Sequence, residues 1–439
     1  MSTANPLPGL TLQTKISCPR CWNSFAPEET LWVAEHPDLL GDPKLGDTQS
    51  KRFLPTRFSV EGDAVDELGE RTTRMACPYC HLEVPRPVYQ LQNIFFSILG
   101  SPACGKSYFL ASLVWQMRQV LPSRFFVTMN DADASLNAKI HEYEETQFLN
   151  PNPEALVALD KTEEQGELYD AVNMGSHSVL LPRPFMFTLQ PLAKHPMYKQ
   201  ARDISRVISL YDNAGESFLP GADKTISPVT RHLALSKCLF FCFDPTQDPR
   251  FRQECKSFST DPQMTPRSER LARENAVRQD TILHEAIQRV RRHAGLREDQ
   301  LHQRPLVIVV TKWDAWKDLL PDVDQSDPYK KVEGQNFQSL DIERVKDVSD
   351  KVEELLGRLC PEIVAAGQGF AEELYFVPVS ATGHSPQVDP ESGALRMRPI
   401  DIKPYWVEVP MMLALHRWTR GLVGATYHRK EDKKLGDDQ

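Results

Sequence analysis

The chain has 439 residues, enough for two or three domains or for one large domain with insertions. Its 41% apolar and 25% charged content is that of a globular protein, and its net charge of −9 argues against a general binder of nucleic acid or anionic membranes. No stretch approaches the roughly 20 apolar residues of a membrane span. The start "MSTANPLPGLTLQTK" lacks the charged and apolar regions of a signal peptide, so a cytoplasmic location is expected.

Nine cysteines, five of them scattered, do not form a disulfide framework. The other four stand in pairs. "CPRC" holds Cys18 and Cys21, and "CPYC" holds Cys77 and Cys80. Each pair offers two thiolates from one tight turn, and together they predict a closed, structural Zn²⁺ site with no position left for a reacting water. His81 is a possible substitute ligand, but four cysteines already complete the set. The 55 residues between the pairs exceed the roughly 15–20 of a simple ribbon, so strands and loops protrude from it. Residues 1–92 carry 9 basic and 12 acidic side chains, a balance that suits protein docking better than nucleic acid.

"NIFFSIL" (93–99) reads as a buried strand, and "KSYFLASLVWQMRQVL" repeats apolar residues at helical spacing. Between them, Gly100-Ser101-Pro102-Ala103-Cys104-Gly105-Lys106-Ser107 has the spacing of a phosphate-binding loop, in the strand–loop–helix context that such a loop needs. Backbone N–H groups and the helix N-terminus, as far as Tyr108, are expected to hold phosphates. Lys106 is expected at the β- and γ-phosphates, and the Ser107 hydroxyl on Mg²⁺. Cys104 reads as a small filler, though a helix N-terminus lowers a thiol pKa.

Three further strand ends follow. "RVISLYDNAGESF" ends in Asp212-x-x-Gly215, a carboxylate able to hold Mg²⁺ through water and a glycine N–H able to approach a γ-phosphate. "RPLVIVVTKWDAW" ends in Thr311-Lys312-Trp313-Asp314. The Asp314 carboxylate can accept from guanine N1–H and the exocyclic amine, donors that adenine lacks, while the Lys312 stem can lie along the base. "ELYFVPVSATG" ends in Ser380-Ala381, whose N–H groups suit the guanine carbonyl.

The series "GSPACGKS", "DNAG", "TKWD" and "SAT" resembles the first, third, fourth and fifth guanine-nucleotide boxes of TRAFAC-class regulatory GTPases. The resemblance implies an α/β fold: a three-layer P-loop NTPase G domain with a mixed, mostly parallel sheet, preceded by a small zinc-ribbon module. It implies the ligands GTP or GDP and Mg²⁺, with Lys106, Gly215 and Glu216 as catalytic residues. "RPFMFTLQPL" (183–192) and "DISRVISLYD" (203–212) look like that fold's antiparallel hairpin. A ribbon before such a domain is similar to bacterial double-GTPase proteins of defence or signalling systems, implying a protein partner, possibly a second GTPase.

Four departures stand out. Thr311 replaces the usual Asn, Pro102 stiffens the loop, and Glu216 stands where Ras-like members have a water-positioning Gln. Glu216 brings negative charge near the γ-phosphate, so slow or partner-dependent hydrolysis is expected. The stretch from Tyr108 to Pro182 is far longer than a minimal first switch. It must contain the Mg²⁺-sensing hydroxyl: Thr162 is the first choice, Ser176 and Ser178 are rivals, and His177 reads as a surface histidine.

The expected layout is a ribbon module at 1–92, a G domain at 93–423 with insertions at 108–182 and 245–300, and a charged tail at 424–439. "RENAVRQDTILHEAIQRVRRHAG" and "SLDIERVKDVSDKVEELLGRLC" read as amphipathic helices, the arginines of the first as a solvated face. "KPYWVEVPMMLALHRWTRGLV" reads as a closing helix. Two other classes remain: a P-loop ATPase or small-substrate kinase, for which Asp314 has no use, and an interaction protein that binds nucleotide without turnover.

Overall fold

Seven strands build one sheet in the computed structural model, which describes residues 12–159, 168–175, 177–213, 218, 231–264, 278–332, 334 and 336–426. They are β1 (Gln92–Gly100), β2 (Val127–Asp131), β3 (Phe185–Pro191), β4 (Arg206–Asp212), β5 (Cys238–Phe243), β6 (Leu306–Val310) and β7 (Leu374–Pro378). Their spatial order is β2-β3-β4-β1-β5-β6-β7. β3 alone runs opposite to the other six strands. The chain is therefore α/β with a mixed, mostly parallel sheet. β3 and β4 are the paired runs at 183–192 and 203–212, with Phe185 opposite Leu210.

Every residue of "CLFFCF" in β5 and "LVIVV" in β6 is buried. Consecutive side chains point to opposite faces of a sheet, so both faces must be covered. The covering helices are α1 (Lys106–Phe125), α2 (Ala138–Gln147), α3 (Gln279–Ala294), α4 (Ile342–Leu359), α5 (Pro361–Gln368) and α6 (Val409–Trp418). In α4, Val345, Val348, Val352, Leu355 and Leu356 are buried at helical spacing, and the Asp341 carboxylate caps the first turn by accepting from Arg344 N. α6 starts only at Val409, with Pro410 in its first turn, where the missing N–H leaves no bond unmade.

Strands β1, β3 and β4 divide by face. Ile94, Phe96 and Ile98 of β1 and Ile208 and Leu210 of β4 join the main core with α1. Phe95 of β1, Met186 of β3, and Val207 and Tyr211 of β4 point the other way. They form a second cluster with Cys18, Cys21, Trp22, Phe25, Cys77, Cys80 and Tyr89 of the N-terminal region. That region is built of strands two to five residues long. Its cysteine turns thus share a core with the sheet.

Two features differ from the sequence expectation. The stretch after Tyr108 contains sheet strand β2, helix α2 and a hairpin of Tyr169–Met174 with His177–Pro182. β2, "VTMND", was illegible because it is a half-exposed edge strand rich in Asn and Asp, which are depleted from strands. Arg289 and Arg291 of α3 are buried, not on a solvated face. Arg289 lies over the Phe218 ring and bonds Glu285, while Arg291 donates to the Gln300 and Gly369 carbonyls at 2.9 Å each. Long aliphatic stems let these guanidiniums cross apolar surface to buried acceptors. The proposed helix residue Val277 and the tail from 427 onward lie outside the described residues.

Candidate functional site

The glycine-bounded loop joins β1 to α1. Gly100 has φ of 152° and pairs with Cys242 on β5, Ala103 has φ of 59°, and Gly105 has φ of 89°. The Lys106 ammonium curls back to donate to the Gly100 carbonyl at 3.0 Å and the Ser101 carbonyl at 2.8 Å. Gly105 caps α1 with no side-chain bond, and no acid occupies the first turn, so no carboxylate offsets the positive end of the helix dipole there. Burial pushes the Cys104 thiol up, but the hydrogen bond from Cys242 and the charge of Lys106 outweigh it and hold the thiol at about 7.

Two of the other strand-end motifs meet this loop. Ala103, Cys104, Gly105 and Tyr108 line one cavity of about 170 Å³ with Thr311, Lys312, Asp314, Ser380 and Ala381. The parallel β6–β7 pairing brings their C-terminal ends side by side, and Trp313 N donates to the Val379 carbonyl at 3.0 Å. The Thr311 hydroxyl donates toward the Cys104 and Phe243 carbonyls, 3.2 Å from each, so this residue ties the loop to β5. Lys312 has φ of 57°, and its ammonium contacts Asp244 Oδ2 at 2.5 Å, Thr246 Oγ1 at 3.1 Å and Gln263 Oε1 at 2.7 Å. These bonds anchor the end of the Lys312 side chain at the cavity wall.

Asp314 accepts from the Ser380 hydroxyl at 2.5 Å and from the Ser385 hydroxyl at 3.4 Å. Burial raises its pKa, and the Ser380 bond only partly opposes this. Ser112 of α1 donates to the Ala381 carbonyl at 2.7 Å, which locks the "SAT" turn against the helix.

Asp212 ends β4 directly beside β1, opposite Ile98 and two residues before Gly100. Asn213 continues toward the loop and donates through Nδ2 to the Ile98 carbonyl at 2.9 Å. Gly215, Glu216, Thr162 and Ser176 lie outside the described residues. Ser178 is exposed on the Tyr169–Met174 hairpin opposite Asn173, and that hairpin packs on the cysteine region through Val172 and Leu181. His177 is exposed, as a surface histidine would be.

The two cysteine turns are conformational copies. Trp22 N donates to the Cys18 carbonyl at 3.1 Å and His81 N to the Cys77 carbonyl at 2.9 Å, with φ of 60° and 62° at Trp22 and His81. Arg20 N and Tyr79 N each approach the first sulfur of their turn at 3.3 Å. The four buried sulfurs lie within 4.8 Å of one another, with Cys18 to Cys80 at 3.8 Å and Cys21 to Cys77 at 3.7 Å. A tetrahedral ion with metal–sulfur bonds of about 2.3 Å holds its sulfurs about 3.8 Å apart, so this group can hold a metal ion. Hydrogen bonds from the Cys18, Cys77 and Cys80 thiols hold the Cys21 thiol far below its usual range. His81 is not part of the group; its Nδ1 lies 2.7 Å from Asp42 Oδ2.

Sequence reading missed how the two sites touch. Trp22 Nε1 donates to the Tyr211 hydroxyl at 3.1 Å, and that hydroxyl donates to the Pro19 carbonyl at 2.6 Å. The Trp22 ring stacks on His232, whose Nε2 meets Asn213 Oδ1 at 3.0 Å. The cysteine turn therefore rests on Tyr211 and, through His232, is linked to Asn213, the two residues that flank Asp212. Trp22→Ala should cost about 3–5 kcal/mol in urea unfolding, as for other buried tryptophans. Trp22→Phe should cost less, since it keeps a ring on His232 and loses the N–H. The other missed residues, Asp244 and Gln279, have a faint signal in "FFCFDPTQ": an acid at the end of a fully apolar strand. Asp244 is fully buried; it binds Lys312 and exchanges backbone bonds with the Gln279 amide.

No protein-family model matches the chain, and no curated protein matches it.

Proposed function

We propose that the protein is a guanine-nucleotide-binding regulatory GTPase of the TRAFAC kind, working with Mg²⁺ and carrying a structural Zn²⁺ in its cysteine group. The observation that supports this most is Asp314: a buried carboxylate lining one cavity with the glycine-bounded loop and the "SAT" turn. Guanine offers two adjacent donors, N1–H and the exocyclic amine, that replace the Ser380 bond and satisfy both oxygens. Adenine offers neither. A P-loop ATPase or kinase therefore has no use for this residue.

In this reading the loop N–H groups and Lys106 hold the β- and γ-phosphates, and Ser107 and Asp212 hold Mg²⁺ directly and through water. Gly215 and Glu216 sense the γ-phosphate and orient the attacking water; the acid makes hydrolysis slow and dependent on a protein partner, such as a second GTPase. Change at Gly215 then reaches the cysteine module through Tyr211 and Asn213, making the module a docking surface whose footing follows the nucleotide. A cytoplasmic location fits this role, and no helix among the described residues is long and apolar enough to cross a membrane.

The test is binding of GDP, ADP and xanthosine diphosphate to the wild type and to Asp314→Asn. The wild type should prefer GDP over ADP. The variant should lose GDP affinity by about 100-fold or more and gain the xanthine nucleotide, since two charge-assisted bonds are exchanged for mismatched ones. Equal binding of GDP and ADP by the wild type would sink the reading. GTP turnover by the same preparation separates a GTPase from a protein that binds without hydrolysis, the alternative raised by Glu216 and Pro102.

A further inference from the structure

The cavity at Asp314 contains more acceptors than the four boxes explain. Asp261 sits in the stretch between β5 and α3, at the head of the short turn Pro262–Met264. It is 2% exposed and lines the same cavity. Its Oδ1 accepts from Gln263 N at 2.7 Å, but its Oδ2 is shielded from solvent and has no hydrogen-bond partner. The same turn supplies Gln263 to the Lys312 ammonium, so Asp261 is held beside the residue expected to lie along the base.

His384 repeats the pattern in the same cavity. Its Nδ1 donates to the Ser385 carbonyl at 2.8 Å, which leaves Nε2 for another partner. That nitrogen is buried, lines the cavity and has no partner. Two orphaned polar atoms in one cavity, each costly to desolvate, call for a polar ligand, and Asp261 Oδ2 calls for one that brings an N–H or O–H donor.

We propose that Asp261 is a specificity-determining residue, supplied by the 245–300 insertion, whose Oδ2 accepts a hydrogen bond from the nucleoside. This rests on the guanine reading above. The donor has two sources on one ligand: the second hydrogen of the exocyclic amine, which Asp314 leaves over, or a ribose hydroxyl. Either way the insertion takes part in choosing the nucleotide, beyond what the four boxes specify.

Competition binding with GDP, inosine diphosphate and 2′-deoxy-GDP distinguishes them, on the wild type and on Asp261→Asn. Asn keeps the shape and the bond from Gln263 N but turns an N–H₂ toward the donor. The variant should lose about tenfold or more in GDP affinity. One analogue should bind wild type and variant alike: inosine diphosphate if the amine is the donor, 2′-deoxy-GDP if the ribose is. Unchanged GDP affinity, or equal losses on all three ligands, overturns the proposal. The wild type provides a test even if the variant fails to fold, because equal wild-type affinity for all three also overturns it. Wild type that binds no guanine nucleotide at all removes the underlying reading instead.

Discussion

Removing the proposed metal from the four-cysteine group, with a strong chelator or by Cys77→Ser, is expected to unfold the N-terminal region and to weaken the proposed nucleotide binding at the same time. The first effect follows from size. The cysteine turns are linked by strands of two to five residues, and a shared apolar cluster and the two hydrogen bonds at Tyr211 support them. Structural zinc contributes about 10–16 kcal/mol in isolated zinc-finger peptides at neutral pH, far more than so small a core can replace. The second effect follows from Trp22. It directly follows Cys21, holds its positive φ within the turn and carries the bond to Tyr211 beside Asp212. Loss of the turn frees Tyr211 and His232, and the end of β4 with them. Metal analysis should find about one zinc per chain. Chelation should expose Trp22 to a fluorescence quencher and reduce GDP affinity. A preparation that holds no metal, or one whose melting and GDP affinity ignore the chelator, would show that the apolar cluster suffices.

Gly100→Ala is expected to have the largest effect of any single methyl group in the chain's loop. An added Cβ would lie 2.6 Å from the Cys242 carbonyl oxygen, 2.8 Å from Cys104 Sγ and 3.0 Å from Cys242 Cβ. The first and last neighbours belong to β5, which is paired on both sides and cannot retreat. The backbone at φ of 152° adds strain. Together these should cost about 3 kcal/mol or more and displace the carbonyl that receives Lys106, abolishing the proposed phosphate binding. Gly105→Ala is the control: φ is 89°, but nothing lies within 4 Å of its added Cβ. It should cost only about 1–2 kcal/mol. Urea unfolding of the two variants, with GDP binding beside it, measures the difference. Equal stability of both would mean that β5 yields at Cys242.

The parts of this protein legible from sequence are those whose physics is local. Apolar runs such as "LVIVV" declare buried strands because period and composition act within a few residues. "GSPACGKS" declares a loop because its glycines supply backbone angles that other residues adopt at a cost, as Gly100 does. The two cysteine turns announced one another across 55 residues because each is a complete local motif with half of a tetrahedral ligand set. Even the gathering of "TKWD" and "SAT" at one cavity follows from a general rule, that parallel strands present their C-terminal ends together.

Other features depended on which surfaces met. Nothing local in "CPRCW" says that Trp22 will stack on His232 or bond Tyr211, 189 residues further along the chain. Nothing local in "VTMND" outweighs its poor strand propensity; pairing with β3 does. Arg289 and Arg291 looked like solvent-facing charges until the chain brought Phe218 and the Gly369 carbonyl to them. Asp261 is one acid among sixty acidic residues in the sequence, and only the closed cavity makes its unpartnered oxygen conspicuous. By itself the sequence determined most of the sheet strands, the loop and the four-cysteine group, because dihedral preference, periodicity and ligand spacing act over a few residues. Tertiary structure alone decided how the cysteine module bears on β4 and which extra acceptors enter the cavity, because burial and hydrogen-bond partnership belong to surfaces that exist only once distant segments have packed.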